Sequence, residues 1–279
     1  MSRHTNTPGL ALRILHGVIP FGYPFLRQLG FNPLNALYGI GLYIRDALRF
    51  AYLPYPDSTL KLRLRDLWPS PYDRFATAGN IPKHYFKMDL WAAKRLFSIR
   101  PARHLDVGSR LDGFVGHCLV FTHVTVLDVR PLDAGIPNLS FFQADCRHMS
   151  QIESSSVESL SSLHALEHVG LGRYGDALDP AGHIKAAKEM ARILKPGGTL
   201  LLAVPIGRER LHFNSHRVFA YDTVISMFAP LQLLEFSAID DEDNLVLNAN
   251  PEISHSWEMG CGLFAFEKTV GGIHALPIG

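Results

Sequence analysis

The sequence predicts an α/β protein built on a mostly parallel, doubly wound sheet and preceded by a small helical or irregular lobe. Three observations carry that reading. From about residue 84, short apolar runs alternate with segments of helical periodicity, the pattern of a parallel sheet covered on both faces. Residues 231–239 and 262–268 read as two strands with no good helix between them, which suggests an antiparallel pair closing one edge. Before residue 83, nine prolines (Pro8, Pro20, Pro24, Pro33, Pro54, Pro56, Pro69, Pro71 and Pro82) cut the chain into short helices and turns. The expected division is therefore a lobe over 1–82 and the sheet domain over 83–279.

Within the lobe the best helix is about 34–50. Leu34, Leu37, Tyr38, Tyr43, Ile44, Ala47 and Leu48 give it an imperfect apolar face, with Arg45 and Arg49 on a shared side. In the sheet domain, a helix over 87–97 leads into strands at 104–107, 124–129, 139–143, 157–163 and 199–204, with helices over 114–121 and 181–194. In the turn LKPGG, Gly197 and Gly198 are expected to end a helix and start a strand, because glycine tolerates the left-handed cap.

Composition narrows the class. With 279 residues, 47% apolar and 19% charged, the chain suits a folded protein rather than a disordered one. The formal net charge of +1 does not indicate a nucleic-acid binder. The charge is unevenly placed, however: residues 1–80 carry 9 Lys/Arg against 4 Asp/Glu, and the remainder 18 against 22. Three scattered cysteines, Cys118, Cys146 and Cys261, argue for a reducing, cytoplasmic setting. Arg13 and His16 interrupt the first apolar run, so the start reads poorly as a signal peptide. The longest stretch without a charged residue, 28–44, is seventeen residues, short of the roughly 20 that span a bilayer. Residues 10–53 could instead lie against the inner face of a membrane, or pack as a lobe or lid.

Ligands of open parallel sheets bind at the carboxyl ends of the strands, near the switch in strand order. Three strand ends carry suitable groups. HLDVGSR turns sharply at Gly108, with Asp106 before it and Ser109 and Arg110 after it. The second strand ends at Asp128 and Val129, and Asp128 stands twenty residues past Gly108, a spacing that suits a carboxylate receiving ribose hydroxyls. The third ends in Asp145 and Cys146, where Asp145 would accept from an adenine amine. A nicotinamide dinucleotide wants G-x-G-x-x-G to seat its pyrophosphate, and Arg110 breaks that motif. S-adenosyl-L-methionine (SAM) has no phosphate, and both Asp145 and LKPGG favour it.

In order, DVGS, LDVR, QADC, SLHALEH and LKPGGTLLLAVP resemble the class I SAM-dependent methyltransferases over about 84–268. SSLHALEHVGLGRYGD (161–176) and PIGRERLHFNSHRVF (205–219) look more like an uncharacterised bacterial family of unknown function within that superfamily. The resemblance implies a Rossmann-like, seven-stranded sheet with a reversed last strand, and places His164 in the cofactor pocket. It also exposes a departure, since Arg110 and Asp112 stand where the superfamily's G-x-G-x-G has glycine. Arg110 would serve the methionyl carboxylate of SAM, or else mark a fold that keeps the shape without the cofactor.

Five of the 14 histidines fall between 164 and 216, after the fourth and fifth strands. A hydroxyl acceptor of a methyl group needs a base, and neutral imidazole suits that role. His168 is the first candidate and His216 the second. Glu167, Arg173, Tyr174, Asp176, His212, Asn214 and Arg217 are candidate substrate contacts. No tight Cys/His cluster suggests a metal. The sequence thus points to methyl transfer from SAM to an oxygen of a small-molecule or glycan-type acceptor. A non-catalytic scaffold of the same fold, or an NAD(P)-dependent oxidoreductase, is the alternative.

Overall fold

The computed structural model describes residues 32–54, 62–70, 74, 83–133 and 135–269. The chain divides into two compact units, Met1–Asn80 and Ile81–Gly279.

In the first unit, α1 (Pro33–Ala51) starts where Asn32 accepts from the Asn35 amide at 3.3 Å and Pro33 supplies the first helical residue. Ala36 and Gly39 are buried, whereas Leu37, Ile44 and Leu48 are exposed. Asp46 pairs with Arg45 at 2.7 Å and with Arg74. Much of the segment 10–53, Arg13 and Arg27 included, lies outside the described residues. No described helix is long and apolar enough to cross a membrane.

The second unit runs α2 (Lys83–Ile99), β1 (Arg103–Val107), a helical turn at Leu111–Val115 continued by α3 (Gly116–Cys118), β2 (His123–Asp128), β3 (Leu139–Gln143) and β4 (Val157–Leu163). It continues with a 3₁₀ turn (Leu166–His168), α4 (Gly182–Ile193), β5 (Leu194–Ile206), β6 (Arg210–His212), β7 (His216–Val218), α5 (Tyr221–Met227), β8 (Gln232–Ile239), β9 (Leu245–Val246) and β10 (Gly260–Glu267). The sheet order is β3-β2-β1-β4-β5-β10-β8-β9. The first five strands are parallel, and β10 lies antiparallel between β5 and β8. The fold is therefore α/β and Rossmann-like, with an eighth, two-residue edge strand beyond the seven expected.

Alternation along the strands builds two cores. Leu200, Leu202, Val204, Phe264 and Phe266 face α4 and α5, packing with Ala186, Met190, Val224 and Phe228. Leu201, Ala203, Leu263 and Ala265 face the other way, onto Met88, Trp91, Leu96 and Phe114 from α2 and the turn after β1. Each fully buried large side chain contributes about 1.5–3 kcal/mol.

Three local expectations need correction. The helix expected over 114–121 is a wide turn plus three residues, because Gly113 leaves helical geometry (φ −117°, ψ −112°) where the Asp89 side chain packs against it. The strand expected at 199–204 extends to Leu194–Ile206. Gly197 takes φ +73° but is not the helix cap: α4 ends at Ile193 with Leu194 extended, and Gly197 instead donates to the Lys268 carbonyl at 2.6 Å.

Candidate functional site

The strand order reverses between β1 and β4, and a cleft opens at the carboxyl ends of β1 to β4 as that switch requires. Tyr85, Gly108–Arg110, Leu127–Arg130, Ala144–Cys146, His164, Ala165, His168, Val169, Arg173, Tyr174 and Asp176 line it. The structure thus brings together Gly108, Ser109, Arg110, Asp128, Val129, Asp145, Cys146, His164, His168, Arg173, Tyr174 and Asp176. A second cavity shares Tyr85, His164, His168 and Arg173 with the first, and adds His84, Glu167, Pro205, His216, Met259 and Gly260.

Gly108 has φ +74°, and a Cβ there would sit 2.9 Å from the Cβ of Ala165; only glycine lets β1 turn this close to β4. Asp106 is not a lining residue. It is fully buried, and its carboxylate accepts from the Ser109 amide at 2.9 Å, the Ser109 hydroxyl at 2.6 Å and the Ser161 hydroxyl. It builds the turn, and burial lifts its pKa to about 6.

Arg110 turns its guanidinium onto Asp112, with contacts of 3.1 and 2.8 Å, and over the Tyr85 ring at 5.2 Å. The side chain at the second glycine position is therefore tethered to the third. Asp128 receives the Arg130 amide at 2.9 Å and its guanidinium at 3.0 and 2.7 Å. Asp145 is gripped in the same way by Arg147, whose hydrogen bonds hold its pKa below the usual carboxylate range. Burial pushes the Cys146 thiol up to about 12, so it is neutral.

After β4, His164 adopts φ +53°. Its Nδ1 lies 2.7 Å from Glu167 Oε1 and its Nε2 3.2 Å from the Cys261 sulfur. Burial opposes charge on both His164 and Glu167, yet the imidazole is held well above its usual pKa by Cys261 and Glu167. The carboxyl is held below its own by His164. They form a buried ion pair. His168 differs: its Nδ1 donates to the Ser215 carbonyl at 2.6 Å, and burial lowers its pKa. It is neutral near pH 7, with the Nε2 lone pair free of that bond. Tyr174 meets the His168 ring edge-on at 5.4 Å.

The remaining expected residues do not line the first cleft. Glu167 and His216 line the second cavity, and Glu167 Oε2 and His216 Nε2 have no hydrogen-bond partner among the described residues. His212 and Asn214 are exposed on the β6–β7 hairpin, where His212 receives Arg210 at 2.9 Å. Arg217 is buried and donates to the carbonyls of Glu167, Val169 and Pro180, so it pins the loop after β4 rather than meeting a ligand. Sequence reasoning left Arg130 unnamed, although the doubled Asp-x-Arg at 128–130 and 145–147 was its signal. Tyr85 lines both cavities, because the first turns of α2 reach the strand ends. No group of three or more His, Cys, Asp or Glu arranged to hold a metal occurs among the described residues.

A sequence family described as "Caenorhabditis protein of unknown function, DUF268" matches residues 139–259; that description is not the bacterial one expected. No curated protein matches the chain. Among solved structures, the [4+2]-cyclase SpnF aligns with 66% of this chain and 82% of its own at 14% identity and a TM-score of 0.50. The Burkholderia thailandensis 1,6-didemethyltoxoflavin-N1-methyltransferase, solved with 1,6-didemethyltoxoflavin and S-adenosylhomocysteine, aligns with 66% of this chain and 80% of its own (15% identity, TM-score 0.49). The Bradyrhizobium japonicum N-methyltransferase NodS, solved with S-adenosylhomocysteine, covers 81% and 98% (18% identity, TM-score 0.47). At these identities the likeness speaks to the fold alone.

Proposed function

We propose that this chain transfers a methyl group from SAM to a small-molecule or glycan-type acceptor, at an oxygen. One observation carries the reading: a glycine turn, two strand-end carboxylates and a neutral histidine converge on a single cleft at the switch point. The residues fit the cofactor. Gly108 leaves no side chain over the turn, and Asp128 and Asp145 line the cleft as carboxylates suited to ribose hydroxyls and to an adenine amine. Arg110 lines the mouth of the same turn, tethered to Asp112, with a guanidinium suited to a carboxylate.

SAM, when bound, supplies an electrophilic methyl on a sulfonium, and orientation is most of what a protein adds to such a displacement. This chain's residues supply the rest. Asp128 and Asp145 hold the nucleoside end. The second cavity, sharing His168 with the first, is where the acceptor is placed. His168 Nε2 receives the hydroxyl proton, because Nδ1 is committed to Ser215. His164, paired on both nitrogens, holds Glu167 in place rather than acting as a base.

The test is calorimetry and thermal melting with S-adenosylhomocysteine, SAM and NAD. S-adenosylhomocysteine at 100 times its dissociation constant is expected to stabilise the protein by about 2.7 kcal/mol. Absence of any shift at millimolar ligand would favour the scaffold reading, and a shift with NAD alone the oxidoreductase.

A further inference from the structure

The first cleft contains two copies of one local device. Asp-x-Arg begins at the last residue of β2 and again two residues after β3, and in each the arginine amide donates to the aspartate Oδ1 at 2.9 Å while the guanidinium forks the carboxylate. Their surroundings differ. The Arg147 side chain is 6% exposed and is fixed further by the Ala177 carbonyl at 2.8 Å and by Asp179 at 3.7 Å. The Arg130 side chain is 52% exposed, and its other contact among the described residues is the face of Tyr174, 4.4 Å away. One arginine is part of the scaffold, whereas the other lies across the carboxylate that would receive the ribose.

We propose that Arg130 is a latch on the donor site, occupying Asp128 in competition with the ribose diol and giving way along the Tyr174 ring when a nucleoside enters. The inference rests on the donor reading above and names the residue that sets donor affinity within it. Asp128 already receives the Arg130 amide and two guanidinium N–H groups, three of the about four acceptor positions of a carboxylate, so two hydroxyls engage it fully only if the fork opens. The exchange is feasible because an exposed ion pair is weak and hydrogen bonds to a carboxylate are stronger. Tyr174 gives the displaced cation a face on which to rest. The backbone that carries the ring is fixed, since the amides of Gly170 and Tyr174 donate to the two oxygens of Asp176, and His168 meets the ring edge-on.

The test is a double-mutant cycle read by calorimetry with S-adenosylhomocysteine, on the full chain, using Arg130→Met, Asp128→Asn and the pair. Arg130→Met is expected to tighten binding about two- to fivefold, the equivalent of an exposed ion pair. In the Asp128→Asn background the gain should shrink toward none. Unchanged or weaker binding in Arg130→Met would overturn the latch, as would an equal gain in both backgrounds, while leaving the donor reading intact. Failure of the wild type and Arg130→Met alike to bind S-adenosylhomocysteine would overturn both. Binding by Arg130→Met alone would support the latch in its strongest form.

Discussion

His164 and His168 share one loop and face one carboxylate, yet near neutral pH one is charged and the other neutral. Two acceptors, Cys261 and Glu167, hold a proton on His164 against burial, whereas burial keeps His168 neutral although Nδ1 meets the Ser215 carbonyl and Nε2 lies 3.6 Å from Glu167. His168→Ala is therefore expected to keep S-adenosylhomocysteine affinity while turnover of a methylated acceptor falls by about 10²–10⁴. Equal loss of affinity would move the base to His216. Asp128 belongs to the other half of the site. Asp128→Ala should weaken S-adenosylhomocysteine at least about tenfold, since charged hydrogen bonds contribute roughly 1.5–3 kcal/mol each, and Asp128→Asn should weaken it less; calorimetry separates the two. These residues were legible because strand ends in a doubly wound sheet converge whatever the side chains. Asp106 and Arg217 were misread because one position in sequence separates a carboxylate that lines a cleft from one buried beneath it, and burial depends on partners such as Ser161 that are 55 residues away.

The loop between β4 and α4 shows the same logic in an element. Gly170 has φ +81°, its amide donates to Asp176 at 2.7 Å and its carbonyl receives Asp179 at 2.9 Å. A Cβ there would run into the Asp179 carbonyl, so Gly170→Ala must displace the loop that carries Arg173, Tyr174 and Asp176. The left-handed backbone alone costs about 1–3 kcal/mol, to be read as a lower midpoint in urea unfolding. An unchanged midpoint would mean that the loop is softer than its hydrogen bonds imply. Elements with continuous apolar runs, β1 to β5 and the β8–β10 pair, were legible from period and length. The β6–β7 hairpin was not, because its strands are three residues each and the alternation of RLHF is too short to mark a strand. The helix after β1 was cut short by Asp89, a partner on α2 that no local window contains.

At the scale of the molecule, the buried titrating groups pull stability in opposite directions with pH. His104, between the Ser159 and Ser161 hydroxyls at 2.8 Å each, is lowered to about 3 by burial, and His183 to about 4. The unfolded chain binds their protons more readily, so both favour the folded state above pH 6.5 and lose that contribution as pH falls. Burial raises Asp89 and Asp106 to about 6; the folded state binds their protons more readily, so their contribution is present at low pH and lost as pH rises through 6. Between about pH 4 and 6 the two pairs oppose each other. His164, raised well above its usual value, adds stability that is present below pH 6.5 and lost on the alkaline side. Replacing His104 by Asn removes one group from the acid side. Relative to wild type, urea-unfolding free energies of His104→Asn should then gain as pH falls from 6.5 to 4. The difference in slope should reach at most about 1.4 kcal/mol per pH unit, the linkage limit for one proton. Parallel curves for the two proteins would mean that His104 titrates alike in the folded and unfolded chains, and that burial against β4 does not hold it neutral.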